Sequence, residues 1–298
     1  MGNSEVVINS YGYYELSEPP SDSELERYYE NIYYQESKSL YSNTYSEDEI
    51  LYFKNKYLQK FHVLMDHSIQ KCSSNRFLDI GCGEGWGLSF FHNLGWKVMG
   101  VDYSNYGCET HNPDMLPFIS CGAPSQKLDE LKASQQVFDV IWLDNVLEHL
   151  KEPLEMLKYC HSLLSNNGLL VIEVPNDFSV VQNKLLLNGD IDETFWVVNP
   201  DHISYFNKDG LINLCSAADL DFADLISDYA IDFDLFNVNT NYKKDPTLGK
   251  ASHKARIEIE NLIHSISIEN ANNLYRVYAE LGIGRQITGF FRKRVREL

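Results

Sequence analysis

Apolar residues recur in two rhythms along this chain, and the change from one to the other divides it. Between residues 50 and 64 they fall at helical spacing (Ile50, Phe53, Tyr57, Phe61, Leu64), behind Ser46 and Glu49 at capping-box separation. This predicts a helix that packs on the domain after it. From residue 76 the rhythm becomes short apolar runs, at 77–80, 98–101, 118–120, 138–143 and 169–174, separated by helical stretches. Such alternation predicts β-α-β units with right-handed crossovers, hence an α/β fold with a Rossmann-like doubly wound sheet. The intervening helices are "LSFFHNL", "SQKLDELKA" and "PLEMLKYCHSLLS", the last expected to stop at Asn166-Asn167-Gly168. Asn207 is placed to cap a helix in "NKDGLINLCSAADL", and "FADLISDYAIDFDLFNV" offers two further edge strands. Residues 252–281 read as one long helix, ending at Gly282-Ile283-Gly284 before a basic terminus.

The start of the chain differs in composition. Tyr11, Tyr13, Tyr14, Tyr28, Tyr29, Tyr33, Tyr34, Tyr41 and Tyr45 crowd a segment rich in Ser and Glu, in which Ser23-x-x-Glu26 offers a capping box. Two readings stay open: an aromatic lid over a cationic or sugar-like substrate, or packing residues of short helices. The organisation expected is an arm and helix over residues 1–70, a sheet domain over 71–240 and a helical extension over 241–298. Arg285, Arg292, Lys293, Arg294 and Arg296 near the end suit either a phosphate or acidic surface, or a solvated helix terminus.

Composition narrows the classes. At 298 residues, 44% hydrophobic, the chain can bury a sizeable core. A net charge of −18 disfavours a nucleic-acid partner, which would need its phosphates neutralised by Lys and Arg. No stretch is long and apolar enough to suggest a membrane span, and "MGNSEVVINS" has neither the basic nor the apolar region of a secretory leader, so a cytoplasmic location is expected. Cys72, Cys82, Cys108, Cys121, Cys160 and Cys215 are scattered without a CxxC pair or a histidine at ligand spacing. They read as reduced, mostly buried thiols, and no metal site is expected.

The candidate chemistry lies in "FLDIGCGEGWG", residues 77–87, where four glycines alternate after the first strand. In a doubly wound sheet a glycine-rich turn at that place lets a cofactor approach backbone N–H groups at a helix start. A tight turn alone would explain one or two glycines, not an alternating set. The next strand ends in Asp102, where a carboxylate can accept the hydroxyls of an adenosine ribose. The dinucleotide fingerprint fails, because Trp86 stands where its third glycine belongs and Glu84 lies inside the loop; no G-K-[ST] comes after it for a Walker loop.

An acid succeeded by G-x-G-x-G, here Asp79, Gly81, Gly83 and Gly85 with Cys82 between them, resembles the first motif of the class I S-adenosylmethionine-dependent methyltransferases. The resemblance covers roughly residues 75–220. It implies that "VMGVDYS" sets Asp102 on the ribose and Tyr103 beside the adenine, and that "FDVIWLDNVLEHL" is the fourth-strand motif, with Asp144 and Asn145 at the methionine end. "NPDHISYFNKDGL" is similar to the H-x-x-YF segment of relatives acting on sugars, quinones and other metabolites. The cofactor implied is S-adenosyl-L-methionine, and the acceptor a small molecule, most simply a sugar or surface-polysaccharide precursor methylated at oxygen. The absence of a cysteine-rich domain ahead of the core argues against sugar C-methylation. An acceptor proton must be removed, which singles out His149 and His202 as bases. Trp196 and Tyr205 are expected to line the acceptor pocket. N- or C-methylation of another metabolite, a non-catalytic cofactor-binding partner subunit, and a nicotinamide dehydrogenase are the rivals; a homodimer is compatible with the arm.

Overall fold

The computed structural model describes residues 5–21, 23–25, 44–67, 69 and 74–294. In chain order its main elements are β1 (Val6–Ile8), β2 (Tyr14–Leu16), α1 (Glu47–Asp66), β3 (Arg76–Ile80), α2 (Trp86–Asn93), β4 (Lys97–Asp102), α3 (Tyr106–His111), β5 (Ile119–Cys121), α4 (Pro124–Ala133), β6 (Phe138–Asp144) and α5 (Pro153–Leu163). Then come β7 (Leu164–Pro175), α6 (Val180–Asn188), β8 (Ser204–Tyr205), α7 (Lys208–Ala217), β9 (Leu220–Ser227), α8 (Gly249–Ile266), α9 (Ile268–Leu281) and β10 (Gln286–Lys293).

Seven strands form the central sheet in the order β5-β4-β3-β6-β7-β10-β9. The first five are parallel, and β10 runs antiparallel to both β7 and β9. The central strands are mostly apolar because both faces are covered. In β6, Val140 and Trp142 enter one core with Phe77 and Phe91, while Ile141 and Leu143 enter the other with Leu78 and Leu157. Burial on two sides is why these strands read as unbroken apolar runs rather than as alternation. All five parallel runs expected from the sequence are strands.

Four local expectations change. The helix α5 stops at Leu163 and the chain turns straight into β7, since Leu164 already has extended dihedrals. Gly168 is therefore a strand residue, and a Cβ on it would stand 2.9 Å from the Asp139 carbonyl oxygen. Only one of the two edge strands forms, at 220–227; its partner across the sheet is β10, drawn from the segment read as a basic terminus. The extension over 241–298 thus ends in a strand of the central sheet. Its helical part is two helices, broken at Ser267, whose side chain caps α9.

Ser46 and Glu49 do make the capping box that opens α1, and Asn207 caps α7 by accepting from the Gly210 N–H at 2.8 Å. In the arm, Ser21 and Glu24 make a reciprocal pair, and the expected Ser23–Glu26 box falls on Glu26, which lies outside the described residues. The hairpin β1–β2 joins β8 as a second, three-stranded sheet. Tyr13 packs on Phe206 at 4.4 Å and Tyr14 stacks on Phe178 at 4.0 Å, so these tyrosines are packing residues. Tyr28, Tyr29, Tyr33, Tyr34 and Tyr41 lie outside the described residues, as do Cys72 and Arg296.

Candidate active site

Between the end of β3 at Ile80 and the start of α2 at Trp86 the chain must turn sharply at the carboxyl edge of the sheet. It does so with Gly81, Gly83 and Gly85 at φ of +75°, +47° and +77°, a region that side chains with a Cβ rarely adopt. The Gly81 N–H donates to the Val101 carbonyl at 2.7 Å and the Gly85 N–H to that of Cys82 at 2.8 Å. The turn therefore accounts for three of the four glycines, more than the one or two expected of it. Gly87 has a different cause: a Cβ there would lie 2.7 Å from Oδ2 of Asp79.

Asp102, at the end of β4, fastens the loop. Its Oδ2 accepts from the Gly83 N–H at 2.8 Å and its Oδ1 from the Ser104 N–H at 3.0 Å. Burial raises its pKa, and the N–H groups of Ser104, Gly83 and Tyr103 act in the opposite sense. Tyr103, next in the chain, is 59% exposed.

Beside the loop a cleft opens, lined by Asp79, Gly81 and Cys82, by Glu84 and Trp86, and by Asp144 and Asn145, with Tyr57 and Trp142 completing it. Glu84 is held from two directions: the Tyr45 hydroxyl donates to Oε1 at 2.7 Å and the Trp86 indole N–H to Oε2 at 2.7 Å. Asp79 is buried, and burial together with Asp144 and Asp102 pushes its pKa well above the usual carboxylate range. Behind the cleft the buried Lys60 ammonium sits 3.0 Å from Asp144 and 2.7 Å from Glu173, and over the Trp142 ring at 4.9 Å. Burial alone would lower the Lys60 pKa, but the two carboxylates raise it.

This donor set decides the kind of ligand. The carboxyl groups of Asp79, Glu84 and Asp144 line the cleft; burial raises Asp79 and Asp144, so a bound sulfonium or ammonium would favour their ionised form, whereas a pyrophosphate would find no partner in them. The residues present fit S-adenosylmethionine: Gly81, Gly83 and Gly85 could cradle it through backbone N–H groups, Asp102 could accept from a ribose, and the carboxyl groups of the cleft could face its cationic end.

Two residues beyond Asn145 a 3-10 turn, Leu147–His149, brings His149 to His202, with ring centroids 4.8 Å apart. The two candidate bases are thus one cluster. His149 Nδ1 donates to the Asp201 carbonyl oxygen at 2.7 Å, and the neighbouring Glu148 is 1% exposed. Burial lowers His149, yet the hydrogen bond to Asp201 and the charge of Glu148 raise it to about 9. Burial and the neighbouring His149 depress His202 to about 4. Burial pushes Glu148 up to about 8.

Trp196 and Tyr205 do not line the cleft. They are 1% and 0% exposed and pack with Leu185 and Val181 in an aromatic-aliphatic core against Phe178. The Tyr205 hydroxyl donates to the His202 carbonyl at 2.8 Å, so its role is to hold that segment. Tyr57 and Trp142 line the cleft and Lys60 backs it, although none is marked for it in the sequence. Tyr57 and Lys60 stand at helical spacing on α1, and nothing in "KNKYLQKF" distinguishes one lysine as buried.

A doubly wound sheet whose glycine turn is fastened to the aspartate ending the next strand, beside a cleft lined with carboxyl groups, is an arrangement suited to a nucleoside cofactor. A methyltransferase domain family matches residues 55–225, more than half of the chain, and the chain belongs to that family, whose cofactor is S-adenosylmethionine. A probable S-adenosylmethionine-dependent methyltransferase of Mycobacterium tuberculosis is 25% identical over 161 residues, 54% of each chain. A ubiquinone biosynthesis O-methyltransferase of Parvibaculum lavamentivorans is 34% identical over 110 residues, 34% of this chain and 40% of its own. The chain spans about half the length of the curated relatives it matches most extensively. In fold it is similar to the plantazolicin methyltransferase BamL, solved with a triazolic desmethylPZN analog and SAH, at a TM-score of 0.52 and 14% identity, covering 91% of this chain and 95% of that one.

Proposed function

We propose that the whole protein transfers a methyl group from S-adenosylmethionine to a small-molecule acceptor, at oxygen, with a sugar or surface-polysaccharide precursor as the favoured acceptor. The observation that carries the reading is the glycine loop fastened to Asp102 beside a cleft whose lining is acidic. When bound, S-adenosylmethionine supplies a methyl group on a good leaving group, so the protein's own part is alignment and exclusion of water. Gly81, Gly83, Gly85 and Asp102 hold the nucleoside, with Cys82 inside the loop and Tyr103 at its border. Asp79, Asp144 and Asn145 face the cationic end, and Lys60 fixes Asp144 in place. On the acceptor side stand His149 and His202, one turn along the chain from the cleft and one segment opposite it. The choice of oxygen draws on the O-methyltransferases among the relatives and on His202, the member of the pair whose imidazole stays unprotonated and can accept a proton.

Calorimetric titration with S-adenosylhomocysteine tests the reading. Micromolar binding, on the order of 8 kcal/mol, is expected for the wild type, and loss of it in Asp102→Ala. No binding by the folded wild type, or binding of NAD instead, would overturn it. Acceptor screening begins with sugar nucleotides once the cofactor is established.

A further inference from the structure

Outside the cofactor cleft, a carboxylate and two imidazoles converge in a way that methyl-donor binding does not use. Glu148, His149 and His202 each bring one ligand-type atom to within 4.8 Å of the others. The first two come from the 3-10 turn after β6 and the third from the segment leading into β8. These segments are tied together, since the Ile203 N–H donates to the Glu148 carbonyl at 2.9 Å and Tyr205 holds the His202 carbonyl.

The hydrogen bonding leaves this trio incomplete. His149 Nδ1 faces a carbonyl oxygen, Asp201 O, which can only accept; the proton is therefore on Nδ1. Its Nε2 lies 3.9 Å from Glu148 Oε1. The other carboxylate oxygen, Glu148 Oε2, is buried with no hydrogen-bond partner, and so is His202 Nδ1. A buried oxygen and a buried ring nitrogen, each unsatisfied, cost free energy unless something else binds them. An imidazole whose second nitrogen is anchored on a carbonyl, with a carboxylate alongside, is the arrangement that orients histidines toward a cation.

We propose that Glu148, His149 and His202 form a binding site for a borderline divalent cation, Zn²⁺ in preference to Mg²⁺. Two nitrogens and one carboxylate oxygen match the ligands of zinc with an open position, whereas Mg²⁺ demands an octahedron of oxygens. Tetrahedral bonds of about 2.1 Å set ligand atoms about 3.4 Å apart, so the trio closes by roughly an ångström of side-chain rotation. Asp201 stands at the rim, its carboxylate 3.3 Å from His149 and 3.9 Å from His202. The site is independent of the cofactor reading, but a zinc-bound imidazole cannot take the acceptor's proton, so with the ion in place His149 and His202 are ligands and not the bases named above.

The test uses the full chain, stripped with a chelator and titrated with ZnCl2 or MgCl2, with metal content measured after gel filtration. The expected result is one equivalent of Zn²⁺, affinity weaker by at least about tenfold in both Glu148→Gln and His202→Ala, and no competition from Mg²⁺. Cobalt substitution should give a tetrahedral spectrum without a thiolate charge-transfer band, which keeps the ion off the cysteines. Binding of S-adenosylhomocysteine by each variant, unchanged within about twofold, shows that it folds. It also separates loss of this site from loss of the cofactor reading. No zinc in the wild type, zinc affinity indifferent to both substitutions, a thiolate spectrum, or equal affinity for Mg²⁺ would each overturn the proposal.

Discussion

Two glycines show how far identity of residue is from identity of role. Gly87 sits in the first turn of α2 with Asp79 against it, whereas Gly249 at the start of α8 has nothing within 4 Å of the place a Cβ would take. Helix propensity favours alanine at both, but at Gly87 the carboxylate cannot retreat without disturbing the cleft. Gly87→Ala should destabilise by about 1–3 kcal/mol and weaken cofactor binding, while Gly249→Ala should be neutral or stabilising by under about 1 kcal/mol. Urea denaturation of the two variants decides it, and a stabilised Gly87→Ala would remove the Asp79 contact as the cause.

Residues of this kind also mark the limit of reading by sequence. The alternating glycines and Asp102 announce a cofactor loop because their meaning is local: a turn, a strand end, a helix start. His149 and His202 are both visible as histidines, yet only the crossover from β7 back to the strand edge brings them together. Trp196 and Tyr205 resemble pocket aromatics by their place in the chain. Their burial in a separate core depends on packing by Phe178 and the hairpin β1–β2, which no spacing reveals.

At the scale of elements, α1 is more than a helix laid on the domain. Its Lys60 reaches the ends of two strands at once, through Asp144 on β6 and Glu173 on β7, and its Tyr57 lines the cleft. Replacing Lys60 by Met leaves the buried Glu173 and the partly exposed Asp144 without their nearest cation. The expected loss is about 3–5 kcal/mol, because removing one partner of a buried pair leaves an uncompensated charge. Denaturation midpoints and slopes of Lys60→Met against wild type measure it, and a loss below about 1 kcal/mol would mean water reaches the site. The amphipathic pattern of α1 is legible in the sequence, and so are the five parallel strands, whose runs are apolar on both faces. The strand β10 is not: Gly289 interrupts it, basic residues end it, and its partners are distant in the chain.

For the molecule as a whole, an excess of acid makes stability depend on pH through buried carboxylates. Asp177, 1% exposed, pairs with Arg285 at 3.1 Å, yet burial outweighs that partner and raises its pKa to about 6. A carboxyl that holds its proton more tightly when folded contributes stability that is present at low pH. That contribution fades as pH rises from about 4 through about 6. The wild type should therefore lose up to about 3 kcal/mol relative to Asp177→Asn across that window, the two curves running parallel above it. Chemical denaturation at pH 4, 5, 6 and 7 checks the slope; parallel curves throughout would show that Asp177 ionises freely in the fold.

The insertion of β10 between β7 and β9 has a consequence in time. A ribosome delivers β7, then everything through β9 and two helices, before the strand that must lie between them exists; β7 ends at Pro175 and its neighbour begins only at Gln286. Until then β7 carries a bare hydrogen-bonding edge with apolar side chains on both faces, the kind of surface that recruits strands from other chains. Completion of the sheet is thus a late, long-range event, and a nascent chain halted short of Lys293 leaves that edge without its partner strand.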